Sequence, residues 1–224
     1  EELSWPWLRN PGLADELDAV AKQHGVTLVG TGINPGFLLD LLPLLLCRPC
    51  TGVRKITAKR IVNVSARRQQ LQKKIGSGLD PETYRALAAK EQIGHVGLGE
   101  SAAFLAAGLG WEHEDIYETI EPVIATEPCG TEYFQIQPGQ VKGSHQVARI
   151  STDDGKCIEL ICRMTHGEPD PRDEVFVEGE PYVHMRIEGG IFGDTATVGC
   201  VINILRQTIN AVPGLLTVKD IPVG

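Results

Sequence analysis

The turn from Gly30 to Gly36, within residues 26–42 (VTLVGTGINPGFLLDLL), holds the residue types best suited to receive a ligand. Residues 26–30 read as a buried strand. Asn34-Pro35 reads as a helix start, because Asn caps well and Pro at the first helical position loses no hydrogen bond. A strand running into a helix N-terminus leaves backbone N–H groups at the strand's carboxyl end, where open α/β sheets bind ligands. Gly30-x-Gly32-x-x-x-Gly36 approaches the dinucleotide fingerprint but sets its third glycine one residue late. About 20 residues further on, where a ribose-binding acid belongs, the chain has Cys50-Thr51-Gly52. The turn therefore reads as a late α/β crossover that borders a cofactor, not as a pyrophosphate loop.

Cys47-Arg48-Pro49-Cys50 is the one close pair among six cysteines. A redox pair wants its first thiol at a helix N-terminus, where the dipole favours thiolate. This pair follows the expected helix 36–47, and no second pair or nearby His completes a zinc set. The thiols read as structural, and no metal site is expected.

The elements that position the turn follow from periodicity. Residues 12–24 form an amphipathic helix stopped by Gly25. Strand 26–30 and helix 36–47 come next, with Pro43 expected to kink that helix. Residues 53–64 read as a long strand with Ile56 and Ala58 inward and a phase change before Ile61-Val62. Residues 66–75 form a basic helix or ordered loop. Asp80-Pro81-Glu82 supplies cap, proline and acidic first turn to another helix. Helix 100–109 follows the loop Gly94-His95-Val96-Gly97. From 111 to 187 the pattern alternates, giving strands 118–125, 140–151, 157–164 and 182–188, with a hairpin at Asp153-Asp154-Gly155. Helix 195–210 closes the order. The fold class is α/β plus α+β: the last elements of a Rossmann-like parallel sheet, then a mixed, mainly antiparallel sheet with helices. Three regions are expected: 1–50 as the end of a dinucleotide-binding domain, 51–192 as a substrate-binding and dimerisation domain, and 193–224 as a closing helix and tail that pack back on the first.

With 224 residues, 42% of them apolar and 22% charged, the chain can bury a proper core. A net charge of −8 gives no electrostatic footprint for nucleic acid or anionic membrane. The longest apolar run, 37–47, contains Asp40 and Pro43 and is too short to span a bilayer. A cytoplasmic location with reduced thiols is expected. The opening Glu1-Glu2-Leu3-Ser4-Trp5-Pro6-Trp7 lacks an initiator Met and reads as the middle of a domain, so a fragment is expected.

Several stretches together resemble the 2,4-diaminopentanoate dehydrogenase family, which includes native amine dehydrogenases and is distantly related to dihydrodipicolinate reductase. They are Glu1 to Pro6, Gly30 to Phe37, Arg67-Arg68 with Leu71 to Gly76, Glu168 to Asp173, and Gly193 to Thr197 leading to Val212–Thr217. The resemblance implies a Rossmann domain whose glycine fingerprint lies upstream, NAD or NADP as cofactor, a homodimer, and inactivity of this piece alone. It implies oxidative deamination of an amine on a secondary carbon, or the reverse reductive amination of a ketone. A carboxylate must then sit near the reacting carbon, and the family's catalytic Glu falls on Glu1 or Glu2. Asn34, Pro35 and Phe37 would line the pocket between nicotinamide and substrate. Thr31, Gly32 and Asn34 would border the cofactor, the glycine allowing close backbone approach. A diamino acid also needs a carboxylate clamp, for which Arg60, His95 and His166 are the candidates.

Dihydrodipicolinate reductase itself matches poorly. Its His-His pair is replaced by Ala66-Arg67-Arg68, followed by Lys73-Lys74-Ile75-Gly76. A competing reading is a non-catalytic oligomerisation or ligand-binding module, whose antiparallel strands pair across a two-fold axis.

Overall fold

A computed structural model of the chain describes residues 2–222. Its elements, in order, are α1 (Pro11–His24), β1 (Thr27–Val29), α2 (Leu41–Cys47), β2 (Thr51–Asn63), α3 (Gln69–Lys74), α4 (Pro81–Ala88), α5 (Leu98–Leu109), β3 (Tyr117–Ile124), β4 (Cys129–Gly130), β5 (Gln135–Ile136), β6 (Val141–Ser151), β7 (Cys157–Thr165), β8 (Arg172–Glu180), β9 (Val183–Glu188), α6 (Gly193–Ile209) and β10 (Gly214–Leu216). A short 3₁₀ turn, Glu2–Ser4, precedes them.

Six strands form one mixed sheet in the order β3-β6-β7-β2-β8-β9, in which β2 and β7 run parallel and every other neighbouring pair is antiparallel. A second, two-stranded sheet pairs β1 with β10 in parallel, Thr27 opposite Gly214 and Val29 opposite Leu216. The expected parallel elements thus sit at the two ends of the described chain, joined by the tail. β4 and β5 make a small hairpin.

The core follows from the two-residue period of the long strands. Ile56 and Ala58 of β2, Ile158, Leu160 and Cys162 of β7, Ala148 and Ile150 of β6, and Val175 and Val177 of β8 share one buried face. On that face lies α5, with Leu98, Ala102, Leu105 and Ala106, and beside it α2. Each large aliphatic side chain buried here contributes about 1.5–3 kcal/mol. The phase change expected in β2 is absent. Its even-numbered side stays inward past Ala58, so the next residue on that side, Arg60, is drawn inside the fold.

Two local expectations are corrected. Asn34-Pro35 does not open a helix: the peptide between them is cis, Gly36 adopts φ 120°, and α2 begins only at Leu41. The cap is Asp40, whose carboxylate accepts from the Leu41 N–H at 2.7 Å. Pro43, expected to kink the helix or to mark a register break, consequently falls in the first turn, where its missing N–H has no intrahelical partner to lose. The helix start read at Asp80 holds, the side chain accepting from Glu82 and Thr83. No described helix is long and apolar enough to cross a membrane.

β8 is the strand that alternation concealed. Asp173 and Glu174 are both buried, so Arg172 to Glu180 shows no clean apolar period in the sequence.

Candidate active site

At the end of the sheet where the apolar face of β2 and β7 runs out lies a cleft of about 210 Å³, walled in part by α3 with Leu71 and Lys74 and by Met164 of β7. The 30–37 loop brings Ile33 and Asn34. β2 and the turn after it bring Arg60, Arg67 and Arg68, the 94–97 loop brings His95, and the start of α6 brings Gly193, Asp194 and Thr197. Such a volume lies below the range that holds drug-sized ligands and suits a small molecule.

Asn34 and His95 form one wall. Asn34 Nδ2 lies 3.0 Å from His95 Nε2. Burial first, and then the cations Lys74 and Arg60, push the imidazole pKa down to about 3, so the ring is neutral. The neutral Nε2 therefore accepts the Asn34 N–H, and the ring carries its proton on Nδ1. That orientation leaves Asn34 Oδ1 buried without a partner among the described residues. The 94–97 loop is itself held from behind: Gln146 Oε1 accepts the His95 N–H at 2.6 Å, and Gln146 Nε2 donates to the His95 carbonyl at 2.9 Å. Gly97 has φ 103°, and a Cβ there would sit 2.8 Å from the Pro35 ring. A glycine is required for the two loops to touch.

The 30–37 loop is anchored from below by Asp40. Its fully buried carboxylate accepts from Gly36 N at 2.7 Å, from Leu41 N at 2.7 Å and from Ser101 Oγ at 2.9 Å. Burial raises the Asp40 pKa, and these donors pull against the rise.

Arg60 does not present the free guanidinium expected of a clamp. Its Nη1 bonds both carboxylate oxygens of Asp173, at 3.0 and 3.1 Å, and its Nη2 donates to the Ile191 carbonyl. Arg60 and Asp173 are direct cross-strand partners in the β2–β8 register, and both are buried. Burial raises the Asp173 pKa while Arg60 opposes that rise. His166 is corrected likewise. It is buried with Nε2 2.8 Å from Ser77 Oγ and does not line the cleft.

The remaining candidates fall on the far side of the 30–37 loop. Phe37 and Thr31 line an open apolar hollow with Leu41 of α2 and Cys200 of α6. Pro35 and Thr31 border a second hollow with Gly30 and Val201. Gly32 is buried, and a Cβ on it would lie 3.1 Å from the Pro35 carbonyl. The loop is thus a partition, with Ile33 and Asn34 facing the polar cleft and Thr31 and Phe37 facing the apolar side. Glu1 lies outside the described residues. Glu2 belongs to the opening 3₁₀ turn.

The sequence reading passed over Arg67, Asp194 and Thr197 as site residues. All three lie beside turn or helix-start signals, and only the fold shows that α6 returns to the end of β2. Cys47 and Cys50 are unbonded. Burial raises the Cys47 thiol pKa to about 12, as a structural thiol requires. Among the described residues no group of His, Cys, Asp and Glu could hold a metal ion.

Residues 37–224 match the family described as 2,4-diaminopentanoate dehydrogenase C-terminal domain. The whole chain aligns with a 2,4-diaminopentanoate dehydrogenase of Acetoanaerobium sticklandii at 32% identity, covering 65% of that protein. An amine dehydrogenase of Streptomyces virginiae is 26% identical over 95% of this chain and 65% of its own length. The solved structure of an amine dehydrogenase from Mycobacterium smegmatis superposes with a TM-score of 0.86 at 26% identity, over 99% of this chain and 66% of that one. The chain therefore spans about two-thirds of the length of these relatives.

Proposed function

This chain belongs to the 2,4-diaminopentanoate dehydrogenase family, whose C-terminal domain it carries, and from that premise we propose that it forms the substrate side of an NAD(P)-dependent oxidoreductase acting on CH–NH2 groups. The observation that carries the reading is the Asn34–His95 pair. The imidazole holds the amide at the cleft wall, and a turn of that amide would bring its buried, unpartnered Oδ1 to the N–H of an amine held in the cleft.

The described residues suit one end of a nicotinamide dinucleotide. The partition loop offers an apolar hollow on its outer side, bounded by Thr31 and Phe37, against which a dinucleotide-binding region can lie, while a nicotinamide ring would have to enter the polar cleft beside Asn34 to reach the amine carbon. Gly36 fits no side chain, since a Cβ there would come within 2.6 Å of the Gly32 nitrogen. No second glycine turn between strand and helix is present among the described residues to cradle a pyrophosphate. We therefore assign Thr31, Gly32 and Asn34 to the nicotinamide end. The remainder we place in a dinucleotide-binding region of the longer protein. The exposed apolar side of α6, with Val198, Val201, Ile202 and Leu205, gives such a region a surface to cover. A bound nicotinamide would supply the hydride acceptor for the carbon that bears the amine.

The chain's own residues bind, orient and move protons. Asn34 Oδ1 takes an N–H and so fixes the orientation of the amine carbon within the cleft. The carboxylate of Glu1 or Glu2 takes a proton from the ammonium to leave the free amine and, once it has passed that proton to water, its negative charge favours the cationic C=N that forms. His95 stays neutral and holds Asn34. Half-buried Val147, Ile161 and Phe176 on the opposite face of the six-stranded sheet support pairing with a second copy.

The test is a panel of short-chain amines and amino acids given to the complete natural protein with NAD⁺ and with NADP⁺. Reduction of either cofactor is expected with amines on secondary carbons. No turnover across the panel would overturn the assignment. Glu→Gln at positions 1 and 2 in turn identifies the acid: the reacting one loses turnover and keeps cofactor affinity.

A further inference from the structure

We propose that Gly30 and the Arg9–Glu100 ion pair are positioning residues for the amine reaction: they fix the opening segment, and with it the acid at position 1 or 2, against the two loops that carry Asn34 and His95. This rests on the reading of Glu1 or Glu2 as the reacting acid.

Gly30 meets the segment at one end. A Cβ on Gly30 would stand 2.5 Å from the carbonyl carbon of Leu3 and 2.6 Å from its oxygen. The φ of Gly30 lies outside the left-handed region, so the backbone conformation does not call for glycine there. What excludes a side chain is the opening 3₁₀ turn, Glu2–Ser4, pressed against the end of β1. The obstacle is backbone, and no change of rotamer removes it. Gly30 also begins the loop that reaches Asn34 four residues later. The turn beside the acid and the wall of the cleft thus share one short piece of chain.

Arg9 meets the segment at the other end. Its Nε donates to Glu100 Oε1 at 2.9 Å, and its Nη1 and Nη2 lie 3.3 Å from Glu91 and 3.4 Å from Glu118. Glu100 is only 1% exposed and belongs to the first turn of α5, whose N-cap, Gly97, packs on Pro35. Its Oε2 is buried with no hydrogen-bond partner among the described residues. Burial raises the Glu118 pKa, Arg9 opposes the rise and Glu100 adds to it, so this one cation balances both carboxylates. A buried carboxylate is a costly way to join two elements, and an apolar pair of similar size would join them as well. What the ion pair adds is direction, because a guanidinium bonded along one N–H admits one orientation of the segment. Between the two ends, Trp5 sets its ring edge-on to Phe104 of α5, with 6.0 Å between centroids.

Position decides the rate of proton transfer. A general base works within hydrogen-bond reach, and a displacement of about 1 Å can cost a hundredfold. An acid carried on a three-residue turn has no long element of its own to hold it. Its neighbours must do so, and these two contacts tie it to the same loops that bring Asn34 to His95.

The test measures oxidation of 2,4-diaminopentanoate and of 2-aminopentane by the complete natural protein with its nicotinamide cofactor. Wild type is compared with Gly30→Ala, with Arg9→Met, and with Arg9→Met combined with Glu100→Leu. In both single variants kcat should fall about tenfold to a hundredfold, with the amine KM and the cofactor affinity held within about twofold. The double variant removes both charges and should regain the urea midpoint without regaining kcat, whereas a merely structural pair would regain both. The Asn10 amide, bonded to the Pro6 carbonyl, should exchange faster in Arg9→Met while the Leu160 amide of the central sheet holds. An unchanged kcat in Gly30→Ala and Arg9→Met overturns the proposal, as does a kcat recovered in the double variant. A lowered kcat overturns it too if Glu1→Gln and Glu2→Gln both keep turnover, since the contacts would then not act through that acid. A wild type that oxidises neither amine, yet loosens at Asn10 in Arg9→Met, would refute the dehydrogenase reading and reduce the contacts to a hold on the segment.

Discussion

The amide of Asn34 and the imidazole of His95 meet at 3.0 Å across 61 residues of chain, and both loops that carry them are held from outside the pair. Asp40 holds Gly36 from below, Gln146 holds His95 from behind, and Gly97 has no side chain to keep Pro35 away. The pair is a consequence of three independent supports, and each is open to mutation.

The neutral ring makes stability depend on pH. The His95 pKa falls from 6.5 to about 3 in the folded chain, chiefly through burial, so between those values the unfolded chain holds a proton that the folded chain lacks. Stability contributed by this neutrality is complete above about pH 6.5 and is lost as pH falls toward about 3. His95→Gln should flatten the slope between about pH 4 and pH 6 by up to 1.4 kcal/mol per pH unit. Urea midpoints across that range check it. An identical slope in the variant would mean that the ring is solvated.

Much of this architecture is legible in the sequence. The helix stop at Gly25, the helix start at Pro81, the hairpin at Asp153-Asp154-Gly155 and the alternating strands all rest on local chemistry that the fold keeps. Asn34-Pro35 misled because a cap-and-proline pair is also compatible with a turn, and the choice lies with Asp40, four residues beyond Gly36. Arg60 misled in another way. Its type suggested a ligand clamp, but its strand register sets it opposite Asp173 on a strand without apolar alternation. Arg67 entered the sequence analysis only within the Arg67-Arg68 stretch, because its place on the cleft is a property of what surrounds it in space.

The Arg60–Asp173 pair should act as framework. Asp173→Ala leaves a buried guanidinium with only the Ile191 carbonyl, and a loss of about 3–5 kcal/mol is expected. The double variant Arg60→Met with Asp173→Leu removes both charges and should recover most of that loss. Chemical denaturation of the single and double variants measures the difference. A double variant as unstable as Asp173→Ala would show that the strands need the ions themselves.

Gly193 separates stability from the cleft. A Cβ there would stand 2.6 Å from Arg67 Nη2 and 3.4 Å from Arg60 Nη2, both at the ends of long side chains. Alanine also favours the first turn of α6 by up to about 1 kcal/mol relative to glycine. Gly193→Ala should therefore unfold within about 1 kcal/mol of wild type while displacing the Arg67 guanidinium. Denaturation and amine oxidation by the complete natural protein, measured side by side, should dissociate: stability held, activity lowered. Equal retention of both would show that the working shape of the cleft does not depend on the position of Arg67.

Asp40 is the strongest support of the partition loop, and its removal should register at two places at once. Three donors converge on one buried carboxylate, two from the backbone and one from Ser101. Asp40→Ala strands all three, and at about 1–3 kcal/mol for each unmet buried group the loss should be at least 3 kcal/mol. Ser101→Ala removes one donor and leaves the carboxylate its two backbone partners, so its cost should be about 1 kcal/mol. The local signature distinguishes this from a general loosening. In Asp40→Asn the Gly36 amide should exchange with solvent faster, whereas the Ile158 and Leu160 amides of the central strand should hold unless the whole domain opens. Exchange that rises evenly at all three positions would make Asp40 a core residue without a special hold on the loop.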